Sequence, residues 1–273
     1  MIKYSGMDYK YALSGGNKIY YHEKGAGEPL VLIMGFGADG SVWAKHVAVY
    51  EKHFRCIILD NRGVGISDQP KGPYTTTMMA ADTIAVMDHA GVKEAKVAGI
   101  SMGGAIAQEL AINYPQRVKK LLLVSTWAKF NNYAATVYEN LKNIRATTDP
   151  EHYMQLLQLW IFAPPYYERE LEGLRKDVIA YRDSDYRQTR EGFEGQLDAC
   201  IHHDSVDRLN KIKVPTLITV GMMDIFTPPA FSELLHKCIG NSLYSTYPEG
   251  GHVHHWEDLE RFNKETLDFL LKN

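Results

Sequence analysis

The sequence predicts an α/β fold: a mostly parallel sheet of the eight-stranded type, helices on both faces, and a block of helices inserted after the sixth strand. Three observations carry this. Six apolar runs recur along the 273 residues. Segments of helical period separate them. The alternation breaks once, over roughly 127–207, where no good strand run occurs. Alternating strand and helix is the signature of a parallel sheet covered on both sides.

Taken in order, KYALS, a Gly-Gly-Asn turn and KIYYHEKG read as an opening hairpin. PLVLIM (29–34), RCIILD (55–60), AKVAGI (95–100), KKLLLVS (119–125), PTLITVG (215–221) and the weaker SLYSTY (242–247) follow. Continuous apolar runs suit strands buried on both faces. Helical period is predicted for Thr77–Ala90, for Met102–Tyr114 ending at Pro115, for Pro228–Ile239 and for Trp256–Leu271. Residues 1–126 and 208–273 form the expected core, and 127–207 a helical cap. The cap is rich in aromatics: Phe130, Tyr133, Tyr138, Tyr153, Trp160, Phe162, Tyr166 and Tyr167. Pro164 and Pro165 in FAPPYY are expected to end any helix there. A cap of this kind would sit on the carboxyl edge of the sheet, where open α/β sheets bind ligands.

Composition bounds the function. The chain is 45% hydrophobic and 23% charged, with a formal net charge of −3. That balance gives no electrostatic reason to expect nucleic acid or a membrane surface as partner. No secretory h-region opens the chain, and no apolar stretch reaches the ~18 residues of a membrane helix. Cys56, Cys200 and Cys238 are far apart and form no C-x-x-C pair, so they read as reduced, mostly packed thiols of a cytoplasmic protein.

The chemistry concentrates at KVAGISMGGAIAQEL. Gly99-Ile100-Ser101-Met102-Gly103 fits G-x-S-x-G in a strand–turn–helix context. Such a turn lifts the serine hydroxyl above the sheet and aims helix N–H groups at what it attacks. A serine needs a base, and the base an orienting acid. Asp224 follows the fifth parallel run and His252 the sixth, so both gather with Ser101 at one sheet edge. Taken singly, Asp224 could cap a turn and His252 could sit in a surface loop. His202, His203, His254 and His255 do not have zinc-helix spacing, and no metal or other cofactor is expected. They read as loop and first-turn histidines.

These elements resemble the α/β-hydrolase family over essentially the whole chain: the elbow, DNRGVGISD (60–68), GMMDIFTPP and GGH stand in family order. With the cap segment LLQLWIFAPPYY, the pattern is similar to small bacterial carboxylesterases and 3-oxoadipate enol-lactonases. Aclacinomycin-type methylesterases and cofactor-free perhydrolases resemble it too. The resemblance implies a Ser101–Asp224–His252 triad and an oxyanion hole from the backbone N–H groups of Phe36 and Met102. It makes DNRGVGISD a structural support. A phosphate loop there fails for want of a G-x-x-G helix start. Where the family usually has His-Gly before the oxyanion loop, this chain has Met34-Gly35. The donor is backbone, so the hole can survive; how rigidly the loop is held without that histidine is left open.

The expectation is therefore a serine hydrolase of a small, largely apolar ester or lactone, acting through an acyl-enzyme. Trp127, Phe130, Trp160 and Phe162 are the expected pocket residues. Arg145, Arg169, Arg175, Arg182 or Arg187 could meet a substrate carboxylate or stay solvated. The alternatives are a carbon–carbon hydrolase, a perhydrolase, a cofactor-free lyase or dioxygenase on the same scaffold, and a sensor without turnover. A haloalkane dehalogenase would need Asp in place of Ser101. Activity should fall as acid protonates the base.

Overall fold

The computed structural model describes residues 8–184 and 188–272. The opening hairpin is β1 (Lys10–Ser14) and β2 (Asn17–Lys24), and β3 (Glu28–Ile33) follows. After these come α1 (Ala44–Tyr50), β4 (Phe54–Leu59), α2 (Thr76–His89), β5 (Ala95–Ile100), α3 (Met102–Asn113) and β6 (Val118–Val124). Then come four successive helices, α4 (Asn132–Thr147), α5 (Pro150–Ile161), α6 (Pro164–Arg182) and α7 (Arg190–Ile201). The chain ends with β7 (Thr216–Gly221), α8 (Pro229–Cys238), β8 (Ser242–Tyr247), α9 (His254–Glu257) and α10 (Leu259–Leu271).

The eight strands make one sheet in the order β1-β2-β4-β3-β5-β6-β7-β8. The β1–β2 and β2–β4 pairs are antiparallel, and β4–β3 through β7–β8 are parallel. The predicted runs fall on these strands to within about a residue, because each inner strand buries both of its faces. Val31, Ile33, Val97, Leu121 and Leu123 pack with Met79, Ala105, Leu110 and Leu235 of α2, α3 and α8. The alternate residues Leu30, Leu32, Ala98, Leu122 and Val124 pack with Val47, Tyr50, Phe262 and Leu270 of α1 and α10.

Helices α4–α7 leave the sheet after β6 and return before β7. The two ends of this excursion meet at a Lys129–Asp204 bridge, with the side chains paired at 2.7 Å. Two sequence expectations are refined. α5 ends at Ile161, as the prolines predict, and Pro164 then opens a further helix, α6, where its missing N–H costs nothing. The closing helix begins at His254 and breaks at Asp258, whose backbone is non-helical (φ −126°, ψ 61°). Cys56 and Cys200 are buried and Cys238 is half-buried, all as free thiols, and burial pushes the Cys56 thiol up to about 12. No helix among the described residues is long and apolar enough to cross a membrane.

Candidate active site

Ser101 sits between β5 and α3 with φ 55° and ψ −121°, a conformation L-residues rarely adopt. Backbone contact holds it there. Its N–H donates to Val124 O (2.8 Å), and its carbonyl accepts the Thr126 hydroxyl (2.8 Å). The flanking glycines are steric necessities. A Cβ on Gly99 would lie 2.2 Å from Gly103 O, and one on Gly103 would lie 2.2 Å from Ile33 O. Gly103→Ala should therefore force strand β3 and helix α3 apart. Overpacking of this kind costs ~3 kcal/mol, and the expected fall in Tm is about 6–10 °C, measurable by thermal unfolding. An unchanged Tm would contradict the close packing.

Asp224 and His252 meet as the sequence suggests. His252 Nδ1 donates to Asp224 Oδ2 at 2.9 Å, and both side chains are buried. That bond selects the tautomer and leaves Nε2 to face away from the acid. The other Asp224 oxygen accepts the N–H groups of Phe226 (2.8 Å) and Thr227 (2.7 Å). Thr227 was not read from the sequence. Its hydroxyl lies 2.8 Å from Asp224 Oδ2, 3.0 Å from His252 Nδ1 and 3.2 Å from Ser125 O. It therefore orients Asp224 and His252 together. Thr227→Val removes a bond to a charged group, about 1.5–3 kcal/mol. The expected loss in kcat/KM is about ten- to hundredfold, read in steady-state ester hydrolysis.

Ser101 is almost fully buried at the same edge, but it makes no hydrogen bond to His252 among the described residues. Catalytic bonds are often loose before substrate binds. The Tyr138 hydroxyl faces Ser101 without completing a hydrogen bond, and its ring is fully buried. Burial, with Cys200 and Asp224 nearby, pushes that phenol well above its usual range, so it stays protonated.

The loop after β3 lies against Ser101: a Cβ on Gly35 would be 3.6 Å from Ser101 Oγ. Phe36 N–H has no acceptor among the described residues, and Met102 opens α3, where N–H groups lack intrahelical partners. DNRGVGISD supports this loop. Asp60 accepts Gly40 N–H (2.8 Å) and Ile66 N–H (3.0 Å), and the Asn61 amide donates to Met34 O (2.7 Å). Arg62 forms a buried two-bond pair with Asp82 (2.7 and 2.6 Å).

Of the expected pocket residues, Trp127 and Phe130 stack at 4.2 Å and back the Tyr138 ring. Trp160 reaches the site through Phe226, whose ring stands edge-on to His252 at 5.0 Å. Phe162 instead stacks on Tyr166 (5.2 Å). Its peptide packs on Gly251, beside His252. There Glu257 accepts N–H groups of both Ala163 (2.7 Å) and Gly251 (2.5 Å), tying the cap to the histidine loop. Phe226, beside His252, and Tyr138, beside Ser101, are aromatic neighbours that sequence reasoning did not select as pocket residues.

Arg145 is turned inward, over the Phe193 ring at 4.3 Å. Arg182 pairs with Glu151 and Asp183 at the surface, Arg169 lies beside Glu170, and Arg175 is exposed. Arg187 lies outside the described residues. His254 and His255 are buried in the first turn of α9, and no ligand-type cluster of three side chains occurs among the described residues.

A family model described as the alpha/beta hydrolase fold matches residues 28–259. A relative from Azorhizobium caulinodans, bearing the provisional name carbamate hydrolase RutD, is 30% identical over 95% of this chain and 97% of its own. One from Mycobacterium tuberculosis, provisionally named non-heme bromoperoxidase BpoC, is 29% identical over 92% and 96%. The crystal structure of an enol-lactonase from Burkholderia xenovorans LB400 superposes with a TM-score of 0.87. It is 28% identical and covers 96% of this chain and all of that one.

Proposed function

The chain belongs to the alpha/beta hydrolase fold family, and on that premise we propose that it is a serine hydrolase of small carboxylic esters or lactones. The observation that carries this reading is the buried 2.9 Å Asp224–His252 bond at the sheet edge where strained Ser101 stands. Ser101 Oγ attacks the carbonyl carbon while His252 Nε2 takes its proton. The N–H groups of Phe36 and Met102 hold the oxyanion. His252 then protonates the leaving oxygen, and the carbon–oxygen bond breaks to give an acyl-enzyme. Water, deprotonated by His252, releases the acid and restores Ser101. Asp224 stabilises the imidazolium throughout.

The aromatic surroundings of Tyr138, Phe226 and Phe130 suit an apolar acyl group. Likeness to the enol-lactonase supports a cyclic ester, and the name carried by the RutD relative supports a carbamoyl group at the same carbon. The BpoC relative supports a second reading. Hydrogen peroxide in place of water would take the same acyl group, giving a peracid and free Ser101.

The test is a fluorophosphonate label located by mass spectrometry, alongside p-nitrophenyl esters from acetate to octanoate, with water or peroxide as acceptor. A Ser101 adduct with chain-length-dependent turnover is expected. Absence of both labelling and turnover would sink the reading.

A further inference from the structure

Helix α7 presents Gly192, Gly195 and Gln196, spaced i, i+3, i+4 and so on one face. That face meets the 63–74 segment at very short range. A Cβ on Gly192 would lie 2.3 Å from Gly63 O, and one on Gly195 would lie 2.6 Å from the Tyr74 ring. The close approach drives Gln196, fully buried, onto the loop after β3. Its Oε1 accepts Gly37 N–H at 2.9 Å, and its Nε2 donates to Arg62 O at 2.8 Å. Gln188 completes the set: its amide nitrogen donates to both Gln196 Oε1 (2.9 Å) and Gly63 O (2.8 Å). Arg145 in turn donates to the Gln188 side-chain oxygen (3.1 Å) and to its backbone carbonyl. Phe193, also on α7, packs its ring on that of Phe36 at 4.9 Å.

A buried amide is costly unless its bonds are made, so such a network holds its members in one arrangement. Gly37 N–H belongs to the peptide that follows Phe36. Fixing that peptide fixes the backbone on which the Phe36 N–H turns. Gly35 and Gly37 leave the loop little stiffness of its own. Met34, whose side chain is apolar, offers no polar brace.

We propose that Gln196 is a positioning residue: from the cap, it sets the Phe36 N–H for the oxyanion, so that a docked cap and a formed oxyanion hole are one state. The role in catalysis rests on the hydrolase reading above; the bracing of the loop does not.

Gln196→Met keeps the length of the side chain and removes both bonds. Losing an oxyanion donor costs about 10²–10³ in rate, and misplacing one should cost about 10- to 100-fold in kcat. KM for p-nitrophenyl butyrate should stay within about twofold, because the donor acts mainly on the transition state. Amide exchange of the 34–43 segment, followed by mass spectrometry, should accelerate while α3 and β5 stay protected. Gln196→Glu is the rescue. A buried carboxyl is favoured neutral, and then it accepts from Gly37 and donates to Arg62 O as the amide does, so most of kcat should return. Gln196→Asn, one methylene short of Gly37, should fail as Met does, and it serves if the Met variant does not fold. Wild-type kcat and wild-type exchange in Gln196→Met or Gln196→Asn would overturn the proposal. So would a Glu variant as impaired as these. A wild-type protein inert to ester and fluorophosphonate would overturn the hydrolase reading alone, since the exchange comparison still decides whether Gln196 holds the loop.

Discussion

Ser101→Ala should lower kcat for any hydrolysed ester by ~10⁴- to 10⁶-fold, the cost of losing a triad nucleophile, and should abolish fluorophosphonate labelling. The fold should not notice. The bonds that hold position 101 run through its backbone, to Val124 O and from the Thr126 hydroxyl. The positive φ strains alanine as it strains serine. The hydroxyl itself makes no hydrogen bond to His252 and faces the buried Tyr138 hydroxyl. Strain of this kind concentrates where a function requires it. The Tm of Ser101→Ala should therefore stay close to that of the wild type. Full ester turnover by this variant would remove Ser101 from the chemistry. A large fall in Tm would mean that the elbow is built for packing.

The parts of this molecule that were legible in the sequence share one property: their signal is local. A strand buried on both faces must be apolar throughout, so PLVLIM and AKVAGI announced β3 and β5. The elbow was readable because Gly99, Ser101 and Gly103 are fixed by contacts within one strand–turn–helix unit and its neighbour β3. Asp224 and His252 were readable because each follows a strand in a parallel sheet, which brings their loops to one edge. Thr227 was not, since a threonine in a Pro-rich turn has the same sequence context whether its hydroxyl caps a turn or touches Asp224 and His252. Tyr138, one of 17 tyrosines, owes its place to how α4 lies over the sheet. Gln196 meets Gly37 across 159 positions of chain, and no local pattern distinguishes it from a solvent-facing glutamine. The first turn of α9 was read as ordinary loop histidines. Their burial depends on α10, which follows directly, and on α1, far earlier in the chain.

That burial gives the second large expected effect, a steep loss of stability in mild acid. His254 is held between Ser125 Oγ (3.1 Å) and Thr219 Oγ1 (3.0 Å). His46 bonds Asn263 Oδ1 (2.6 Å) through one nitrogen and His255 Nδ1 (3.0 Å) through the other. In the His46–His255 pair one ring must accept, so the two cannot both be protonated as they stand. His203 lies against the Thr76 hydroxyl (2.8 Å). Desolvation lowers His46 and His203 to about 4 and His254 to about 3, and takes His255 well down too. The folded values lie below the unfolded one near 6.5, so the native rings stay neutral while the unfolded chain binds protons. Stability is then complete above about pH 6.5 and falls as pH drops toward the folded values. At pH 5 each such ring costs about 2 kcal/mol. Several acting together should lower Tm by on the order of 10 °C or more relative to pH 7. Glu257, raised by burial, opposes this as a single group. Thermal unfolding at pH 7 and pH 5 reads the effect directly. In His203→Gln, whose site lies apart from the His252 loop, the dependence on pH should be shallower. A Tm that is flat over this range would mean that these imidazoles reach water in the folded protein, and that α1 and α10 pack loosely around them.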